Sequence, residues 1–255
     1  MTMPARAPRV RPAAGALLTV AVLASCAPGG GSEREERGFG PVGDRLTIAV
    51  DRGDLDVRPS DVAEVEVTRW LGGWPSFGAE TEAAWELVGD RLEMGTGCGP
   101  LSLGRCDVRY EVLVPRDVAL TVEGGGAQVT AAGFDAALEI DSENGAVRVE
   151  DVSGPLTLRS DNGELRGSGV RSARVAVESR SGEIHLSFAA APARVVAAAE
   201  NGAVTIELPD TAYDVTTATD NGAVRSDVAQ DPGSPHAVTV RTDNGAIDVR
   251  TAAGA

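Results

Sequence analysis

Apolar and polar residues alternate with period two through most of the chain. Leu156 and Leu158 flank Thr157, and Val147 and Val149 flank Arg148. Such alternation turns every second side chain toward a core and the others toward solvent, which is the pattern of half-buried β-strands. The runs are punctuated by one short motif: SENGAV from Ser142, SDNGEL from Ser160, SRSGEI from Ser179, AENGAV from Ala199, TDNGAV from Thr219 and TDNGAI from Thr242. Each reads small, polar, Asn or Ser, Gly, any residue, aliphatic. Their glycines, Gly145, Gly163, Gly182, Gly202, Gly222 and Gly245, are separated by 18, 19, 20, 20 and 23 residues. One supersecondary unit of about 20 residues is therefore repeated. No helical spacing occurs in this region. A weaker copy, Val50-Asp-Arg-Gly53-Asp-Leu55-Asp-Val57, matches the stretch from Ser142 to Val149 position for position, so the fold begins near Asp44.

Two architectures fit these strands. Asn-Gly between alternating runs is the strongest short hairpin signal and allows an antiparallel meander. The other arrangement is a parallel, β-helix-like β-solenoid, each repeat forming one coil with its Asn-Gly turn stacked at the same corner. Only the second explains why the residue two before Asn is small every time (Ser142, Ser160, Ser179, Ala199, Thr219, Thr242), because a stacked interior corner has room for nothing larger. The expectation is an all-β chain with a short β-rich N-terminal portion and insert at 44–122, a repeat column at 123–250 and a tail at 251–255. Asn-Gly is expected to take left-handed backbone, where Gly has no Cβ penalty and Asn is tolerated. Gly202 and Gly222 are expected in adjacent coils.

Composition narrows the function. All 23 basic residues are Arg, which removes Lys-based Schiff-base and phosphate-loop chemistry. His185 and His236 alone give little scope for a His-centred metal or proton-transfer site. A net charge of −15 excludes nucleic acid as an expected partner, since phosphate binding needs a cationic face.

The first 25 residues read as an export signal. Arg6, Arg9 and Arg11 precede an apolar run at 13–24, which is too short to span a bilayer permanently. The run ends in Leu23-Ala24-Ser25-Cys26, which resembles the lipobox of bacterial lipoproteins, with Cys26 as the lipid-attachment residue. Several acyl chains on one residue make a stable anchor. Cleavage leaves a strongly acidic chain, so attachment must come from lipid and not from basic residues. Residues 26–43, rich in Gly, Pro and charge, read as a flexible tether. In an exported protein Cys98 and Cys106, within TGCGPLSLGRC, are placed to close a small disulfide loop; the competing arrangement is a pair of buried thiols.

The order of these features carries a family resemblance. An exported leader is followed by I-x-V-x-x-G-x-L-x-V from Ile48 to Val57, an insert, V-P-R-D-V-x-L-x-V from Val114 to Val122, and Asn-Gly repeats to the end. The chain resembles the bacterial putative-adhesin family of β-strand-repeat envelope proteins, a domain of unknown function. The resemblance implies a β-helical surface domain, adhesin-like and sometimes linked to envelope-stress signalling, and it carries over no catalytic residues. It extends over about 44–250; the Cys-containing insert has no counterpart in it.

Three candidate chemistries remain. Asp161, Asp220 and Asp243, with Glu143 and Glu200, precede the Asn in their turns, so carboxylates form a column along one edge. Ca²⁺ takes such oxygen ligands, but the nonapeptide of calcium-binding β-rolls is absent, and a solvated turn is the simpler reading, with no metal or cofactor assigned. Trp70, Trp74 and Trp85, with Phe77, cluster in one segment and serve either as a cap over the first coil or as a loop for sugars or membrane. Finally, β-helices include carbohydrate-active enzymes, but neither an isolated acid pair nor a G-x-S-x-G or H-E-x-x-H motif occurs. The expectation is a lipid-anchored, extracytoplasmic, non-catalytic module at the cell membrane that binds cell-wall, glycan or membrane-protein partners. The alternatives are an envelope-stress sensor and a carbohydrate-active enzyme.

Overall fold

The computed structural model describes residues 33–72, 85–95 and 107–252. All regular structure there is β. The N-terminal portion contributes β1 (Glu33–Phe39), β2 (Arg45–Val50), β3 (Asp54–Ser60), β4 (Val65–Gly72), β5 (Trp85–Val88), β6 (Arg91–Met94) and β7 (Asp107–Pro115). The repeats then supply strands in pairs: β8 (Ala119–Gly124) with β9 (Gln128–Ala132), β10 (Leu138–Ser142) with β11 (Val147–Glu150), and β12 (Leu156–Ser160) with β13 (Leu165–Val170). After them come β14 (Arg174–Ser179) with β15 (Ile184–Phe188) and β16 (Arg194–Asn201) with β17 (Val204–Leu208). The chain closes with β18 (Ala212–Asn221), β19 (Val224–Ser226), β20 (Ala229–Gln230), β21 (Ala237–Asn244) and β22 (Ile247–Thr251).

The two strands of a repeat do not pair with each other. They enter two different 11-stranded sheets, and each pairs in parallel with its counterpart in the neighbouring repeat. The hairpin meander is thereby ruled out. Equivalent inward positions stack: Leu138, Leu156, Val175 and Val195 align in one sheet, and Val147, Leu165, Ile184 and Val204 in the other. All eight are buried and belong to one apolar core between the sheets. Each buried aliphatic side chain of this kind contributes about 1.5 to 3 kcal/mol, which is why the period-two alternation survives along β10, β11, β12, β15 and β17.

Sequence order is broken at both ends. The strand order β17-β22-β19 in one sheet, and β16-β21-β18 in the other, places the last coil between the fourth and fifth repeats. Gly202 and Gly222 are therefore not neighbours; Gly245 lies between them. The reason is apolar content. The inward residues of β21 and β22, Val238, Val240, Ile247 and Val249, are all at most 1% exposed. The corresponding positions of β18 and β19 are Val215, Thr217, Val224 and Ser226, and burying those two hydroxyls without partners costs about 1 to 3 kcal/mol each. The more apolar coil is sandwiched, and the hydroxyl-bearing one sits at the end. Likewise β2 and β3 insert between β6 and β7 on one side and β8 and β9 on the other.

The expected tether at 26–43 is corrected over residues 33–39. Residues 33–39 form β1, paired antiparallel with β4 from Glu33 opposite Leu71 to Phe39 opposite Val65. Phe39 is buried, and Glu35 forms an ion pair with the buried Arg69. A charged stretch can be a strand when its partners come from elsewhere in the chain, and composition cannot register that.

Candidate functional site

The Asn-Gly corner is held by close backbone approach. A Cβ on Gly163 would collide with the carbonyl oxygen of Gly145, one on Gly182 with that of Gly163, and one on Gly202 with that of Gly182. Gly145, Gly245 and Gly222 meet the carbonyls of Ala127, Gly202 and Gly245 in the same way. None of these six takes the left-handed conformation expected of them; among described glycines only Gly53, Gly89, Gly133 and Gly169 have positive φ. The Asn residues serve stacking as well: Asn162 Nδ2 donates to Asn144 Oδ1 at 2.9 Å, Asn244 to Asn201 at 3.0 Å, and Asn221 to Asn244 at 3.0 Å. Ser181 occupies the one gap in this amide ladder, between Asn162 and Asn201.

The small residues two before Asn face inward beneath the corner. Ser142 Oγ donates to the Gly145 carbonyl at 2.8 Å, and Ser160 Oγ accepts from the Gly163 amide at 2.7 Å. Thr242 and Thr219 donate to the carbonyls of Gly202 and Gly245 at 3.1 and 3.0 Å. Their compactness leaves a surface groove of about 1030 Å³ along the corner. One wall is the row Glu123, Asp141, Arg159, Glu178, Ala198 and Arg241, in register across β8, β10, β12, β14, β16 and β21. The other wall is formed by Asp51, Glu143, Asp161, Arg180, Glu200 and Asp243, the residues that precede the Asn position.

Nine carboxylates and three guanidinium groups line this groove. Most are already paired. Arg91 binds Glu123 at 2.8 Å, Arg159 binds Asp141 at 3.2 Å, Arg180 binds Asp161 at 3.1 Å, and Arg241 lies 3.8 Å from Asp243. The hydrogen bond from Arg91 holds the Glu123 carboxyl below the usual carboxylate range. Glu143 and Glu200 have no ion pair among the described residues. Among those residues no group of three or more His, Cys, Asp or Glu is arranged to hold a metal. The walls therefore offer a periodic, net-acidic row of hydrogen-bonding groups, spaced at the strand separation of about 4.8 Å, with no point where acid, base and nucleophile converge.

The acidic turn residues Glu143, Asp161, Glu200 and Asp243 do come together here, while Asp220 lies one coil beyond the groove. Glu123, Asp141, Arg159, Glu178 and Arg241 were missed by the sequence reading. Their signal was available: they immediately precede the small residue of each aligned repeat, which makes them the adjacent outward position. Cys26, Cys98, Cys106, Trp74 and Phe77 lie outside the described residues. The two described tryptophans separate. Trp85 packs edge-on against Phe39 at 6.0 Å with Arg69 over its ring at 4.4 Å, closing over the first coils, whereas Trp70 stands half-buried between Arg34 and Arg109.

Stacked two-sheet coils with a linear corner groove define a class of β-repeat domain. The chain belongs to the Toastrack DUF4097 family, whose pattern matches residues 44–250. It is similar in fold to a putative adhesin, BF0245, of Bacteroides fragilis NCTC 9343, with a TM-score of 0.51 and 11% identity over 86% of this chain and 97% of that one. It also resembles a putative adhesin of Parabacteroides merdae ATCC 43184, with a TM-score of 0.46 and 15% identity over 88% and 97% of the two chains. A putative lipid binding protein of Parabacteroides distasonis ATCC 8503 gives 0.45 and 13% over 86% and 97%. No curated protein matches the chain.

Proposed function

We propose that this protein is a lipid-anchored, extracytoplasmic and non-catalytic binding module, a short two-sheet solenoid that presents its corner groove to an extended ligand at the cell surface. The observation that carries the binding reading is the groove itself, whose two walls set one side chain per coil in register, mostly carboxylates with Arg159, Arg180 and Arg241 among them. A linear array recognises a linear ligand, because successive coils add positions at one regular spacing, whereas catalysis needs a singular constellation. The Leu-Ala-Ser-Cys ending supports attachment through Cys26.

Two experiments test this. Purified mature protein is sedimented with isolated cell-wall material, alongside a double variant, Glu143→Arg and Glu200→Arg. Co-sedimentation that the double variant loses supports the groove; equal sedimentation, or soluble fragments released from the wall, overturns it. Specific capture of one membrane protein in place of the wall would favour the stress-sensing alternative. Separately, Cys26→Ala should release the protein from the membrane fraction or leave its leader uncleaved. If that variant stays anchored and is processed at the same site, the lipoprotein reading fails.

A further inference from the structure

The two ends of the column are finished differently. At the N-terminal end, Trp85, Phe39 and the Arg69–Glu35 pair close over the first coils. At the other end the outermost coil is β18 with β19. One edge of β18 pairs with β21 from Asp214 to Asn221. On its opposite edge only Ala212 and Tyr213 are taken, by Ala229 and Gln230 of β20. From Asp214 to Asn221 that edge meets no strand among the described residues, and β19 is paired only with β22.

The side chains beneath this vacancy are incompletely covered. Val215, Thr217 and Thr219 are half-buried and Val224 is 43% exposed, although their counterparts one coil inward, Val238, Val240, Thr242 and Ile247, are at most 1% exposed. Of the usual guards the free edge carries only the charges of Asp214 and Asp220: it has no Pro, no Lys, no bulge and no inward-pointing charge. It also has a sign. Residues 210–231 contain Asp210, Asp214, Asp220, Asp227 and Asp231 against a single Arg225. A second copy would bring the same acids to the junction, on a chain already at −15, so charge disfavours self-stacking.

We propose that this end is a strand acceptor, where an extended cationic segment of another protein adds alongside β18 in line with β20. Main-chain hydrogen bonds to the edge from Asp214 to Asn221 supply affinity, and alternate small apolar side chains cover Val215, Thr217 and Val224. Arg or Lys flanking the segment meets the aspartates of the rim. The surface lies apart from the corner groove and does not depend on what the groove binds.

The test uses mature protein and a synthetic peptide of alternating valine and threonine with two arginines at each end. Two control peptides replace the arginines by glutamates, or the central valines by prolines. The Arg-flanked peptide should bind at least about tenfold more tightly than either control, a difference of about 1.4 kcal/mol. It should also slow hydrogen exchange at the free-edge amides between 214 and 221. Val224→Arg, at an exposed position, should melt as wild type and lose about tenfold in affinity. Equal binding of the proline peptide would reduce the contact to charge alone and overturn the proposal. So would edge amides already protected in the free protein, whether by another part of its own chain or by a dimer seen in sedimentation.

Discussion

At the scale of single residues, the glycines of the corner are required by a neighbouring backbone and not by their own φ. Gly182→Ala places a methyl group against the Gly163 carbonyl, which belongs to the stacked ladder and cannot move aside as a flexible side chain would. We expect a loss of about 3 kcal/mol or more in chemical denaturation. Gly43→Ala, where a Cβ meets nothing within 4 Å, should stay within about 0.5 kcal/mol. If both substitutions are tolerated alike, close approach is not what holds the corner. The amide ladder makes a second expectation: Ser181→Asn fills its one gap between Asn162 and Asn201 and should stabilise by about 0.5 to 1.5 kcal/mol. A drop in melting temperature would mean that the amides do not stack through that coil.

At the scale of elements, the outer faces of the sheets are laced by carboxylate and guanidinium pairs in register. Between β17 and β22, Arg250 Nε donates to Glu207 at 3.1 Å, and Arg250 Nη1 lies 3.1 Å from Asp248. The hydrogen bond from Arg250 is the main cause that lowers the Glu207 pKa below its ordinary 4.5, with burial opposing it. A carboxyl depressed in the folded state stabilises the fold above its unfolded pKa, and that contribution fades as pH falls through the folded value. Glu207→Gln should therefore lower the melting temperature near pH 7, and its difference from wild type should shrink as the pH drops from about 5 toward 3. A difference that is constant with pH would show that the loss comes from packing and not from the ionised pair.

At the scale of the whole molecule, the inserted final coil predicts an asymmetric response to deletion. Replacing residues 210–235 by a short linker removes the outermost coil and leaves β21 and β22 stacked on β16 and β17. Most of the core lies inward of that cut, so the remainder should retain a cooperative melt. Removing residues 237–252 instead takes away Val238, Val240, Ile247 and Val249 and leaves β18 and β19 without their paired neighbours. That truncation should abolish cooperative unfolding at this end, read as loss of hydrogen-exchange protection in both β16 and β18. If the two deletions behave alike, the coils stack in sequence order in solution.

The sequence by itself determined the strands, the repeat and the small-residue column, because each is a local matter: period two records which side faces a core, and a stacked corner excludes large side chains wherever it occurs. It also located the family span and one wall of the groove, since Glu143, Asp161, Glu200 and Asp243 align within the motif. Only the tertiary structure decided which coil neighbours which. Gly202 meets Gly245 and not Gly222 because the coil carrying Val238, Val240, Ile247 and Val249 gains more from being covered on both sides than the coil carrying Thr217 and Ser226. That comparison is between segments competing for one place, and no single repeat contains it. The charged stretch at Glu33–Phe39 became a strand for the same kind of reason: its pairing partner is β4, more than 25 residues further along the chain.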